Sequence, residues 1–498
     1  MISFLALGFL FPLPLGLIQI AILQYLFDCQ NTLPFMRLIA QLSAAWRLPS
    51  TLLLVSALAA GFLTQVASSA EFPLQTSANH RFLVDQQNRP FIVVGDTPWS
   101  LIVQPEPAGV DRYLQDRQRR GFNAIIVNLI EHKFCTHPPK TRAGLAPFDP
   151  PGDFSKPNPD YFDYAHQVIQ KANDHGIVVW VAPAYLGYGG GDEGFFREMK
   201  AGGKEKLRAY GQFVGRRFRD LPNIVWLLGG DYTPDPADRW TVTELANALE
   251  QEDTNHLMTV HASPENSAAS LFGHERWLRL NTVYSYQSNL FQPVLAEYAR
   301  EPIRPFVLIE STYEGEHGSK PDQIRRQAYW TMLGGGCGQF LGNNPIWHFD
   351  GPGLFPAPVT WEQALGQEGS RDMAHLGTLF RQIPWDKLIP EENHEIVVEG
   401  YGKDISTALT ARTEDRRLSM TYFPSTGTQP REFKIDIRQF AGPVAMRWFN
   451  PVGGAFKLPG EADARLASGQ HQLRTPGDNG AGANDWVLVL EGRNASMN

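Results

Sequence analysis

A chain of 498 residues is long enough for two or three domains, or for one large barrel with a small companion. Its 43% hydrophobic and 19% charged residues exclude a disordered or repeat protein. A formal charge of −8 with no basic run argues against nucleic acid and anionic membrane surfaces as partners.

The leader comes first. Met1 to Phe27 is almost wholly apolar, and a second apolar run spans Thr51 to Leu63. Met36-Arg37 and Arg47 precede that second run, and Val66-Ala67-Ser68-Ser69-Ala70 follows it. A basic start, a short apolar stretch and small residues at the exit make a secretory signal peptide. The reading is a leader over residues 1–70, with Met36 as the true start, cleavage after Ala70, and export to the periplasm or medium. A membrane anchor through residues 1–27 is the alternative, because that run is long enough to span. Asp28, Arg37 and Arg47 leave the first 70 residues at +1, so the acidic body carries −9. Of the three cysteines, Cys29 lies in the leader. Cys135 and Cys337 show no C-x-x-C spacing and are expected as small buried thiols, with pairing as the alternative.

From Arg89 onward, short apolar runs alternate with helical stretches. The expected strands are Phe91–Asp96, Phe122–Asn128, Ile177–Ala182, Asn223–Leu228, Leu257–His261, Thr282–Tyr286, Pro305–Glu310 and Gly338–Leu341. Helices are expected over Val110–Arg120, Tyr161–His175, Lys204–Phe218, Trp240–Glu250 and Asp322–Leu333. The strands are continuously apolar, as parallel strands buried on both faces must be. Eight such units over residues 71–388 predict an α/β fold, a (β/α)8 TIM barrel. A doubly wound sheet fits less well, since no Gly-rich phosphate loop follows the first strand. After Ile389 the pattern turns to alternating strands with Gly, Pro, Asp and Asn turns, which predicts a small antiparallel β-sandwich over residues 389–498.

A TIM barrel carries its site at the C-terminal ends of the strands. The residues standing there are Asp96 and Trp99, Asn128, Tyr185, Asp231 and Tyr232, His261, Tyr286 and Gln287, Glu310, Tyr313 and Glu314, then Trp347. Acids, amides and aromatics at nearly every strand end suit a sugar. Each also has an ordinary structural reading: Asp96 as a turn cap, Trp99 and Trp347 as core lids, Asn128 as a loop brace, His261 as a buried hydrogen-bonded ring. Glu131-His132 and His137 lack metal-ligand spacing, and Gly334-Gly335-Gly336 lacks the Lys-Ser/Thr of a phosphate loop. No metal or other cofactor is therefore expected. Asp231 and Glu310 each end a strongly apolar strand, where a carboxylate is costly unless solvated, paired or used. Glycoside hydrolysis needs one protonated and one ionised carboxyl, so these two are the expected catalytic pair, with Glu314 as competitor to Glu310.

At these residues the chain resembles the apiosidase-like family of barrel glycoside hydrolases, over about Phe72 to Asp386. The resemblance rests on Gly95-Asp96-Thr97-Pro98-Trp99, Arg120-Gly121-Phe122-Asn123, the run Asn223 to Asp231 ending in Gly-Gly-Asp, and Glu310-Ser311-Thr312-Tyr313-Glu314. It implies Asp231 as acid/base and Glu310 as nucleophile. The C-terminal part is similar to the small β domain, named for collagen binding, that often follows this barrel. The expected function is that of a retaining glycosidase acting on a plant or microbial polysaccharide side chain. An endo-acting glucanase or mannanase-like enzyme and a non-catalytic carbohydrate-binding envelope protein are the alternatives. Oligomeric state is not legible.

Overall fold

The computed structural model describes residues 70–457 and 465–492. The expected leader, Ala70 apart, lies outside the described residues. Among them no helix is long and apolar enough to cross a membrane.

Eight parallel strands form the barrel: β1 Val93–Asp96, β2 Ala124–Asn128, β3 Val178–Ala182, β4 Ile224–Gly229, β5 Leu257–His261, β6 Asn281–Tyr284, β7 Phe306–Glu310 and β8 Gly338–Leu341. Every residue in them is buried, which is why they read as largely apolar runs, with Thr259, Asn281, Thr282 and Gln339 as buried polar exceptions. The hydrogen-bonded order runs β5-β4-β3-β2-β1-β8-β7-β6. A Met258–Leu278 bridge and the Thr282 hydroxyl on the Val260 carbonyl close the ring between β5 and β6. Around it lie α1 Pro107–Arg119, α2 Pro159–Asp174, α3 Phe196–Phe218, α4 Trp240–Glu252, α5 Ala268–Phe272, α6 Phe291–Ala299, α7 Pro321–Leu333 and α8 Glu368–Arg381.

Alternate strand residues serve two cores. Ala124, Ile126, Val178, Trp180, Val225, Leu227, Val307 and Ile309 fill the barrel interior. Ile125, Val127, Val179 and Trp226 face outward to the helices. The interior is tight: a Cβ on Gly95 would lie 2.3 Å from the Phe340 ring, which itself packs edge-on to Trp180 at 4.8 Å. Cys135 and Cys337 are buried free thiols.

The expected helix at Tyr161 begins two residues earlier. Asn158 caps it by accepting the Asp160 amide proton at 3.2 Å, and Pro159 occupies the first turn, where its missing N–H costs nothing. Helix α3 starts eight residues before the expected Lys204, running through a break at Gly203 with φ +77.

The C-terminal part is two antiparallel sheets. The larger contains β9 Leu388–Glu391, β10 Leu409–Thr413, β11 Leu418–Phe423, β12 Val444–Asn450 and β13 Trp486–Gly492. The smaller contains Val397–Glu399, Glu432–Asp436 and Gln470–Arg474. Strand alternation again sorts the side chains. Phe423, Trp448 and Leu488 pack against the smaller sheet, while Met420, Tyr422, Phe449, Val487 and Val489 pack on the barrel helices. Tyr329 of α7 stacks on Tyr422 at 4.8 Å, and Arg325 of α7 bonds Asp485 twice, at 2.7 and 2.9 Å, and Asp372 of α8 at 2.8 Å.

Candidate active site

The Gly-Gly-Asp motif ends β4 in a backbone shape that explains its composition. Gly229, Gly230 and Asp231 have φ of +81, +125 and +48. A Cβ at Gly229 would meet the His261 carbonyl at 2.4 Å, and one at Gly230 would meet the Tyr185 ring at 2.2 Å. Only glycine fits both places, and aspartate is among the few side chains tolerated next in the left-handed region. Two amides then hold the turn on β5: Gly230 N–H donates to the His261 carbonyl at 2.8 Å, and Asp231 N–H to His261 Nδ1 at 3.3 Å.

Glu310 reaches the same place through an irregularity. Val283 pairs with Leu308, but the next residue, Tyr284, pairs with Glu310. That one-residue bulge on β7 breaks the alternation after Ile309, so Glu310 shares the inward face with Tyr284. No such shift occurs where β1 meets β8, and Asp96 accordingly keeps the outward parity.

Four donors then surround the Glu310 carboxylate. Oε1 accepts from Tyr284 at 3.0 Å and Tyr286 at 2.7 Å. Oε2 faces His261 Nε2 at 3.0 Å and Tyr313 OH at 3.4 Å. With His261 Nδ1 taking the Asp231 amide proton, the neutral ring carries its hydrogen on Nε2, aimed at Glu310. Burial works against a charged His261, but Glu310 and Asp231 on its two sides outweigh it and raise its pKa.

Asp231 is held differently. Its Oδ2 accepts from Tyr185 OH at 2.8 Å, while Oδ1 has no hydrogen-bond partner among the described residues. An unpaired buried oxygen disfavours the ionised form. Burial, and then the Glu310 charge, push this carboxyl up to about 7. Ligand atoms of Asp231, His261 and Glu310 all lie within 4.8 Å of one another. Among the described residues that trio is the cluster close enough to share a metal ion, although His261 Nε2 is already engaged by Glu310 at 3.0 Å.

The pair opens into a cavity of about 720 Å³. Of the residues expected there, Asp231, Glu310, Trp99, Asn128, Tyr185, Tyr286, Tyr313 and Trp347 line it. His261 is 1% exposed and stands behind the two carboxylates as their bridge. Four expected residues do not reach the cavity. Asp96 is fully buried outside the barrel, bonded to Tyr113 at 2.8 Å and Arg117 at 3.2 Å. Tyr232 turns away onto Phe196. Gln287 is exposed, its amide bonded to Ser285 Oγ. Glu314 accepts from Asn343 at 2.9 Å and from the Gly369 amide at 2.8 Å, bracing the loop on α8.

Sequence reasoning passed over Phe134, Tyr188, Tyr284 and Glu316, which also line the cavity. Tyr284 was legible only as strand interior. Phe134 is set by Glu131, whose Oε1 accepts the amides of His132, Lys133 and Phe134 at 2.9, 3.1 and 3.1 Å. Glu316 follows a glycine with φ +84 that turns the chain back inward. The Gly315 break after Glu314 was the available signal.

Fold and site together define a barrel of the glycoside hydrolase kind. The model of the apiosidase-like catalytic domain matches residues 77–387, and the chain belongs to that family. A second model, described as "Putative collagen-binding domain of a collagenase", matches residues 389–491. A solved glycoside hydrolase superposes with a TM-score of 0.74 at 24% identity, over 86% of this chain and 98% of its own. A glycoside hydrolase family 5 protein from Bacteroides vulgatus superposes at 0.73 with 22% identity, over 84% and 93%. These likenesses show the shared fold. No curated protein matches the sequence significantly.

Proposed function

We propose that the protein is an exported retaining glycosidase that removes side-chain sugars from a plant or microbial polysaccharide, with Glu310 as nucleophile and Asp231 as acid/base. The observation that supports this best is the carboxylate pair itself. Oxygens of Asp231 and Glu310 lie within 4.8 Å. Retaining enzymes hold their carboxyls about 5 to 5.5 Å apart, whereas inverting enzymes leave roughly 6.5 to 9.5 Å for a water. The environments of the two groups also differ. Four donors face the Glu310 carboxylate, whereas burial and then the Glu310 charge favour a protonated Asp231.

In the first step Glu310 attacks the anomeric carbon as Asp231 protonates the departing oxygen. In the second, Asp231 takes a proton from water, which displaces Glu310 from the glycosyl ester. Export is supported by the basic, apolar and small-residue pattern from Arg37 to Ala70.

The test pairs two variants. Glu310→Gln should abolish turnover, since an amide cannot form the ester. Asp231→Ala should still release good aryl leaving groups, and added azide should then yield a glycosyl azide of retained configuration. An inverted first-formed product overturns the retaining assignment. Full activity in Glu310→Gln overturns the site.

A further inference from the structure

Outside the catalytic pair, three buried ion clusters stand out among the described residues. Asp96 with Arg117, Asp253 with His256, and Arg325 with its two aspartates are each charge-paired within the protein, and none of them lines the main cavity. The apolar groove between α6 and the β domain has nothing that names an occupant. The third carboxylate of the main cavity is different.

Glu316 is placed there by a braced loop. Glu314 anchors outward on Asn343 and the Gly369 amide, and Ser319 Oγ donates to the Tyr313 carbonyl. Between them Gly315 reverses the chain at φ +84, where a Cβ would lie 2.7 Å from the Asn344 carbonyl. Glu316 therefore points into the cavity that Glu310 and Asp231 also line. Its Oε1 accepts from Trp347 Nε1 at 2.9 Å, and its Oε2 has no hydrogen-bond partner among the described residues. One oxygen is thus fixed by an indole in the cavity wall, and the other is left to a ligand.

The charges around it are one-sided. Glu193, Asp231, Glu310 and Glu316 line the cavity, and no lysine or arginine does so among the described residues. Lys133, the cation beside Glu193, lies 3.6 Å from both Glu193 and Asp192. A sugar stacked on Trp347 carries its hydroxyls past the indole edge, where a carboxylate oxygen can accept one or two of them. A uronic acid in the same position would bring a second carboxylate to a wall whose one basic side chain among the described lining residues is His317.

We propose that Glu316 is the specificity-determining residue of this site: it accepts hydroxyls of the sugar unit bound against Glu310 and bars uronic acids from that position. This rests on the glycosidase reading above. Burial, and to a lesser degree the Glu310 charge, push Glu316 up to about 7 despite the Trp347 bond. Its negative charge, and with it the bar to uronic acids, is therefore strongest above about 7.

The experiment compares wild type, Glu316→Gln and Glu316→Ala on 4-nitrophenyl glycosides of neutral pentoses and hexoses and on 4-nitrophenyl glucuronide and galacturonide. Wild type should cleave a neutral member at least about a hundredfold better in kcat/KM than either uronide, as expected where a charge is left unpaired. Glu316→Ala should raise KM for that neutral substrate by about tenfold, the size of a lost hydrogen bond to a charged group, with kcat for the aryl leaving group nearly unchanged. Glu316→Gln keeps an acceptor, so it should recover much of the KM and narrow the gap to the uronides. A wild-type enzyme that prefers a uronide, or an unchanged KM in Glu316→Ala, overturns the assignment and leaves the hydrolase reading intact.

A binding arm separates the two readings. Tryptophan fluorescence, with Trp99 and Trp347 in the cavity wall, is titrated with D-xylose and D-glucuronate. A quench by xylose alone that is lost in Glu316→Ala supports the assignment even if nothing is hydrolysed, in which case the hydrolase reading falls. Any other pattern overturns it.

Discussion

Asp231 and Glu310 share one ring of aromatic and imidazole donors, yet the donors are unequally divided. Tyr185 serves Asp231, while Tyr284, Tyr286, Tyr313 and His261 serve Glu310. With its carboxyl pushed up to about 7, Asp231 stays protonated through the weakly acidic range. Cleavage of alkyl glycosides, whose leaving groups need that proton, should fall as pH rises through about 7. In Asp231→Ala this alkaline limb should vanish from the pH profile on 4-nitrophenyl glycosides; a limb that survives assigns it to another group. Tyr286→Phe removes the 2.7 Å bond to Glu310. A hydrogen bond to a charged group contributes about 1.5 to 3 kcal/mol, so kcat/KM should fall roughly ten- to a hundredfold. An unchanged kcat/KM would show that the remaining donors suffice. Side-chain identity made the pair readable, because Asp231 and Glu310 both end apolar strands. The same rule put forward Asp96, which has the same sequence appearance. What separates them is a bulge between β6 and β7 and an arginine twenty-one residues away on α1, and neither leaves a local mark in the sequence.

The turn after β4 is the element on which the acid's position depends. Gly230→Ala would force a left-handed residue with a Cβ 2.2 Å from the Tyr185 ring, the ring whose hydroxyl holds Asp231. Strained backbone costs about 1 to 3 kcal/mol, and displacement of Tyr185 adds a loss of activity. Gly203→Ala is the matched control: φ is +77, but a Cβ there meets nothing within 4 Å. It should lower Tm without changing kcat/KM of the folded enzyme, whereas Gly230→Ala should lower both. Equal kinetic effects from the two would remove the special role of the turn. At this scale the barrel was legible, since strands buried on both faces are continuous apolar runs and all eight appear in the sequence. Helix α5, only five residues long, shows no amphipathic period, and Gln470–Arg474 is an edge strand with little apolar content, so neither stood out.

Every described residue lining the main cavity falls between Trp99 and Phe355, so the described part of the β domain contributes none of the site. Its larger sheet instead covers α7 and α8, burying Trp330, Tyr329 and Tyr422. At the seam the run Trp448-Phe449-Asn450-Pro451 divides. Phe449 faces the barrel and the Pro451 carbonyl meets His375 at 3.2 Å, while Trp448 turns into the sandwich. The polar centre of the seam is Arg325, 2% exposed between Asp372 and Asp485, with Tyr422 OH also on Asp485 at 3.1 Å. Arg325→Met leaves two buried carboxylates without their cation, a loss of about 3 to 5 kcal/mol. The shift should appear in the denaturation midpoint, with kcat/KM of the folded enzyme unchanged. Adding Asp372→Asn and Asp485→Asn removes both stranded charges and should return part of the loss. Truncation before Glu391 goes further and exposes the aromatic face that the sheet covers. The shortened barrel should aggregate or unfold at lower temperature while its soluble fraction keeps activity. A truncated barrel that is stable but inactive on every substrate would instead place part of the chemistry in the β domain.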